Sequence, residues 1–253
     1  MQTGAITSYI DVAQLVLYAF WIFFFGLVYY LLRENHREGY PLDSGGRGVI
    51  EGWPPVPSPK EFLLPNGHVS LSPNPDEAPQ QFSGEAVHGW SGSPIEPVGN
   101  PLTAGVGPGA WANREDHAEK DYLGNARIRP LSVMPDFGVS SKDFDPRGAE
   151  LIGGDGEVAG VVTDLWVDSS DMVFRYIQLR LTDGSREVLV PFNFARIRRD
   201  KPVEVWALHA KHFAGVPGTK SPDTITMLEE EKIVAYFGAG LLYADEKRTQ
   251  PLI

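Results

Sequence analysis

Carboxylates are the residues of this chain most able to do chemistry, and they gather in two places. Asp164, Asp168 and Asp171 lie within eight residues, with Arg175 four positions further on. Glu115, Asp116, His117, Glu119 and Asp121 form a second group upstream. Closely placed carboxylates raise one another's pKa, so some members of such a set hold a proton near neutral pH and pass it on, which would suit a proton inlet. The same residues also fit a solvated acidic surface in which Arg175 makes a structural ion pair, and spacing alone favours that plainer assignment. No nucleophile elbow, Walker loop, dinucleotide fingerprint or HExxH occurs. His209 and His212 have the i, i+3 spacing of two metal ligands on one helical turn but lack a third ligand nearby in sequence, so surface histidines are preferred. Gly105-Val106-Gly107-Pro108-Gly109 resembles a phosphate loop only in glycine content, because its proline removes a donor. A tight turn is expected there.

The elements that must position these groups begin with a membrane segment. Val12 to Leu32 carries no charge and as a helix covers about 30 Å, the thickness of a bilayer's hydrocarbon core. A cleavable signal fits poorly, since no basic region precedes the run and no small-residue cleavage site follows it. Residues 1–11 contain no Lys or Arg, whereas Arg33 and Arg37 follow the span, so the positive-inside rule leaves the N-terminus outside and the remainder in the cytoplasm. Tyr29 and Tyr30 near the exit, with Tyr9 before the entrance, suit the interfacial belts. Tyr18, Phe20, Trp21, Phe23, Phe24 and Phe25 lie deeper, where such bulky side chains would fill grooves on a neighbouring helix or contact lipid or pigment equally well.

Residues 41–110 hold 13 of the 21 prolines and 12 of the 27 glycines, so regular structure there must be short. Trp53, Phe62, Leu63, Leu64, Phe82, Trp90 and Trp111 are too many apolar anchors for a solvated tether. An extended segment over 33–110, lying on partner subunits, is the expected arrangement. From Glu157 the pattern changes to strands: Val161, Thr163, Leu165 and Val167 alternate with Val162, Asp164, Trp166 and Asp168. Further strands are expected over 174–181, 186–192, 194–198 and 203–208, and a helix over 225–243 in which Gly238 and Gly240 weaken the helix or allow close packing. The predicted fold is a single N-terminal transmembrane helix, then a cytoplasmic, mainly-β antiparallel domain over 111–253 with a C-terminal helix.

Composition narrows the function classes. The chain has no cysteine, which excludes thiolate metal sites, cysteine nucleophiles and disulfides. Its 33 acidic against 22 basic residues give a net charge of −11, which argues against nucleic-acid binding.

Ala19-Phe20-Trp21-Ile22-Phe23, Arg37-Glu38-Gly39-Tyr40-Pro41-Leu42, Pro59-Lys60-Glu61-Phe62, Leu64-Pro65-Asn66-Gly67, Gly99-Asn100-Pro101-Leu102, Asp164-Leu165-Trp166-Val167-Asp168, and Leu228-Glu229-Glu230-Glu231-Lys232 running to Gly240-Leu241-Leu242-Tyr243-Ala244 follow one another in order over more than 200 residues. On these segments the chain bears a resemblance to the H subunit of the purple-bacterial photosynthetic reaction centre. It implies a PRC-barrel in the cytoplasmic domain, no catalytic site and no cofactor of the chain's own. Bacteriochlorophyll, bacteriopheophytin, quinones and non-haem iron would sit in partner L and M subunits, and a cytochrome subunit, a light-harvesting complex and membrane lipids are further candidate partners. The implied location is the bacterial inner, photosynthetic intracytoplasmic membrane. The implied roles are stabilising the L–M core, capping the quinone side and helping protons reach the secondary quinone. Carried over residue by residue, Asp171 matches a position where the family often has glutamate on the inner proton path, Asp168 an acidic neighbour, and Arg175 the arginine that pairs with them. Asp121 and Glu119 match acidic positions near the proton entrance. Leu123 and Asn125 stand where some members have paired histidines, so His117 is the candidate substitute. Two other classes remain open on the residues alone: a single-pass membrane adaptor with a PRC-like domain, and a membrane-anchored enzyme.

Overall fold

The computed structural model describes residues 4, 6, 11–37, 53–65, 67–74, 82–90 and 92–249, arranged as two units, 1–79 with 88–93 and 80–87 with 94–253. Tyr9, residues 38–52 with Tyr40, and the last four residues lie outside the described set.

The first unit is built on α1 (Val12–Arg37). Asp11 starts it, its Oδ1 accepting from the Gln14 amide at 2.7 Å while Gln14 reaches back to the Asp11 amide, a reciprocal cap that satisfies two otherwise orphaned donors. The helix is long and apolar enough to cross a membrane, with mean hydropathy 2.2 in its most apolar window and none of that window buried by the chain itself. Four rings make i, i+4 stacks on its surface, Phe20 on Phe24 at 5.9 Å and Trp21 on Phe25 at 5.7 Å. Beyond the apolar run the helix ties down the following chain. Glu34 bridges Arg37 (3.1 Å) and Lys60 (2.6 Å), Arg37 donates to the Ser58 carbonyl, and Tyr29 lies 5.3 Å from the Trp53 ring. Strands β1 (Lys60–Leu63) and β2 (Val69–Ser72) then form a two-stranded antiparallel hairpin.

The second unit opens with another short antiparallel pair, β3 (Gly84–Ala86) and β4 (Ile95–Pro97). Leu102, Ala104 and Val106 are buried in this unit, so part of the proline- and glycine-rich stretch packs on the chain's own core. Its main sheet comprises β5 (Ile128–Pro130), β6 (Glu150–Ile152), β7 (Val158–Asp168), β8 (Val173–Leu181), β9 (Glu187–Pro191), β10 (Ala195–Arg196) and β11 (Val203–Val205). The order is β10-β11-β6-β7-β8-β9, with β5 also on β7, and every pairing is antiparallel except β11 with β6. The expected alternation along β7 holds over residues 161–164, where Val161 is 42% exposed and Val162 1%. Register shifts at Val162/Asp164 and Trp166/Val167 break the period of two, and residues 164–168 are all buried.

Helix α2 (Met227–Tyr243) closes the core with Ile233, Tyr236 and Phe237, the last 6.0 Å from Phe213 and 5.6 Å from Phe194. Thr226 and Glu229 form a capping box that fixes its start. The 105–109 segment is a turn, with positive φ at Gly105 and Gly107, and it packs on α2. A Cβ at Gly238 would stand 2.5 Å from the Pro108 carbonyl oxygen, so of the two roles considered for the helix glycines, close packing is the one realised.

Candidate functional site

Arg127, immediately before β5, organises the carboxylates. Its amide donates to the Glu119 carbonyl (2.8 Å) and its own carbonyl accepts from the Ser169 amide (2.9 Å), which fixes its backbone between the upstream acidic segment and the end of β7. The guanidinium then serves three anions at once: Nε to Asp168 Oδ1 at 2.7 Å, Nη2 to Asp171 Oδ2 at 2.5 Å, and Nη1 to Glu119 Oε1 at 3.1 Å. A planar fork of five donors is suited to such convergence.

Asp168 is the buried member, with no exposed surface. Its Oδ1 also accepts from the Ser170 (3.0 Å) and Asp171 (3.1 Å) amides, which shape the β7–β8 turn. Its Oδ2 is buried with no hydrogen-bond partner among the described residues. Burial pushes the Asp168 carboxyl upward more than any other single influence, but Arg127 and the two amides together hold it below the ordinary value. Arg127 is correspondingly raised, chiefly by its bond to Asp168. Asp171 is exposed beyond the turn, which closes through Met172 at φ 56°.

The remaining sequence candidates separate. Asp121 staples its own turn, its Oδ1 accepting from the Leu123 and Asn125 amides, both at 2.9 Å. His117 is exposed and bonds Glu115 Oε2 at 2.5 Å and the Ala118 carbonyl at 3.2 Å. These bonds, the Ala118 carbonyl first and Glu115 second, raise its pKa. Asp164 belongs to the scaffold, accepting from the Leu165 (2.8 Å) and Ser132 (3.1 Å) amides with Arg147 at 3.8 Å. His209 and His212 stack at 5.6 Å, and among the described residues no three potential ligands converge on a metal position. In the first unit, Tyr29 and Arg37 make the contacts given above, whereas Tyr30 and Arg33 are exposed.

The expected pairing of Arg175 with Asp168 and Asp171 is not what the structure has: Arg127 occupies that position. The reason is register. Trp166 faces Tyr176 and Val167 faces Phe174, so Arg175 is the extra residue of a bulge and leaves the ladder. It lines instead a cleft of about 570 Å³ with Arg114, Glu119, Tyr176, Glu230 and Glu231. Sequence reasoning therefore missed Arg127, which lies 41 and 44 residues from its partners in β7 and the turn. It also gave Glu230 no role beyond its place in the Leu228–Lys232 motif. Glu230 accepts from Tyr176 Oη at 2.9 Å, and burial raises its pKa.

Comparison with known families places this arrangement. Residues 4–133 match the family described as photosynthetic reaction centre, H-chain N-terminal region, and residues 140–203 match the PRC-barrel domain. The first match takes in α1 and Arg127, and the second takes in β6 to β9 with Asp168 and Asp171. With more than half of its length so matched, the chain belongs to the photosynthetic reaction centre H-chain family and carries a PRC-barrel domain.

Proposed function

We propose that this chain is the non-pigment subunit that stabilises the L–M core, caps its quinone side and helps carry protons from the cytoplasm to the secondary quinone. In this reading residues 12–32 span the bacterial inner membrane with residues 1–11 periplasmic, residues 33–110 run over L and M, and residues 111–253 form the cytoplasmic cap. Pigments, quinones and non-haem iron belong to L and M. The basic flank at Arg33 and Arg37 supports the orientation, and the exposed Trp53, Phe62, Leu63, Leu64 and Trp90 support completion of the extended segment by partner subunits.

The observation that carries the proton role is the array on Arg127: exposed Glu119 and Asp171 lead to fully buried Asp168, whose second oxygen has no partner among the described residues. An ionised carboxylate with a free lone pair on a buried oxygen can accept a hydrogen bond from a proton-carrying water and stabilise its positive charge without itself binding the proton. Arg127 keeps it ionised, and Asp171 offers the solvent-side carboxylate. The test is flash-induced proton uptake and second electron transfer in membranes carrying Asp171→Asn at matched complex assembly. Slowing is expected, with normal first electron transfer and pigment content. Unchanged kinetics would leave this position a structural cap.

A further inference from the structure

The Arg127 array has acceptors but no proton store: one permanent cation touches Glu119, Asp168 and Asp171, and it helps hold the buried Asp168 ionised. The neighbouring cleft is arranged in the opposite sense. Of its two arginines, Arg114 is committed to Glu231, Nε to Oε1 at 2.7 Å. Arg175 makes no ion pair within 4 Å among the described residues and acts on Glu230 only at a distance. Glu230 is half-buried, and the hydrogen bond it accepts comes from a neutral phenol, Tyr176.

We infer that Glu230 is the proton-storing carboxyl of this subunit, held by Tyr176 on the wall of the cleft it shares with Glu119. The inference rests on the proton-delivery reading and names the group that keeps a proton ready. Among the described residues, the titratable and charged groups that face it are Glu231 from α2 itself, Tyr176 and Arg175 from β8, Glu119 and Arg114 from the segments before β5, and Asp168 from the end of β7. Asn193, after β9, is neutral. Glu119 and Asp168 oppose ionisation of Glu230, Arg175 and the Tyr176 hydroxyl favour it, and burial outweighs each, which raises the carboxyl. In uptake, a proton from water in the open cleft forms the carboxyl O–H. In release, that bond breaks and the carboxylate keeps the Tyr176 hydrogen bond, so the charge inside the cleft changes by one each way.

The experiment uses whole reaction-centre complexes carrying Glu230→Gln or Tyr176→Phe, matched for pigment content. Light-minus-dark infrared spectra read protonated carboxyl groups through their C=O stretch and its shift in D2O, and flash-induced proton uptake is followed against pH. Glu230→Gln is expected to delete one carboxyl band and the matching fraction of uptake. Tyr176→Phe removes the donor that favours the anion, so it should keep the band and move its titration about one pH unit higher. A band and uptake profile that survive Glu230→Gln, or a profile unmoved by Tyr176→Phe, overturn the inference. If Glu230→Gln is silent while Asp171→Asn slows second electron transfer, the store fails and the delivery reading stands. If both are silent, both fail.

Discussion

Replacing Arg127 by methionine tests the centre of the site, because the energetic consequence follows from one buried charge. Asp168 has no exposed surface and Arg127 side-chain exposure is 20%, so the pair is desolvated on one side. Removing one partner of a buried pair costs about 3–5 kcal/mol. The Ser170 and Asp171 amides still bond Oδ1, which places the expected loss at about 3 kcal/mol, or a fall of roughly 6–12 °C in melting temperature for a unit of this size. The pH dependence gives a second, sign-specific check. In the native protein Asp168 lies below the ordinary value of 3.8, so its contribution is present above that value and is lost as pH falls through the depressed folded pKa. Without Arg127, burial dominates and the folded pKa rises above the ordinary value. The variant then regains stability as pH falls through that raised pKa, and its deficit should narrow between pH 7 and 4. Full-length protein in detergent micelles, melted at a series of pH values and followed by tryptophan fluorescence, measures both. Adding Asp168→Asn to Arg127→Met should recover about 1–2 kcal/mol by removing the stranded charge. A loss below about 1 kcal/mol, or a deficit independent of pH, would refute the assignment of Asp168 as a buried anion held by Arg127.

Two further perturbations probe the scaffold and the surface. Gly240→Ala puts a Cβ 2.4 Å from Leu208 Cδ2 and 2.6 Å from the Ala207 carbonyl oxygen, and backbone cannot yield as a side chain can. Destabilisation of about 1–3 kcal/mol is expected despite alanine's better helix propensity, and a stabilised variant in urea denaturation would show that α2 does not approach the 207–208 segment so closely. For His117, NMR titration should give a pKa above the ordinary imidazole value, and Glu115→Gln should bring it down while leaving the bond to the Ala118 carbonyl. A His117 pKa indifferent to Glu115→Gln would place the two side chains apart in solution.

What the residues disclosed, and what they withheld, divides by the range of the interaction. The apolar helix was legible because hydropathy over twenty residues is a local sum. Strands β7 to β11 of the main sheet were legible because β-rich runs between turn signals carry their own period, as at Thr182-Asp183-Gly184-Ser185 between β8 and β9, whereas β5 and β6, three residues each, are too short to show one. The short β1–β2 and β3–β4 pairs were hidden by prolines that set upper limits on length without forbidding two-stranded pairing. The error over Arg175 has a sharper cause. Counting four residues from Asp171 assumes an unbroken ladder, and a single extra residue at Trp166/Val167 removes Arg175 from it. The arginine that does serve the carboxylates arrives through the β5–β7 pairing, in which Ile128 faces Asp168. That contact spans some forty residues and leaves no periodic trace. A bulge that ejects one cation and a distant strand that supplies another give the same charge inventory, so composition and spacing could find the acidic groups but not their partner. The distinction matters for mechanism. Arg127 enters from the segment that also carries Glu119, so the solvent-side carboxylate and the buried one share one guanidinium. A change of protonation at either end is therefore felt at the other through a single charge that cannot itself titrate.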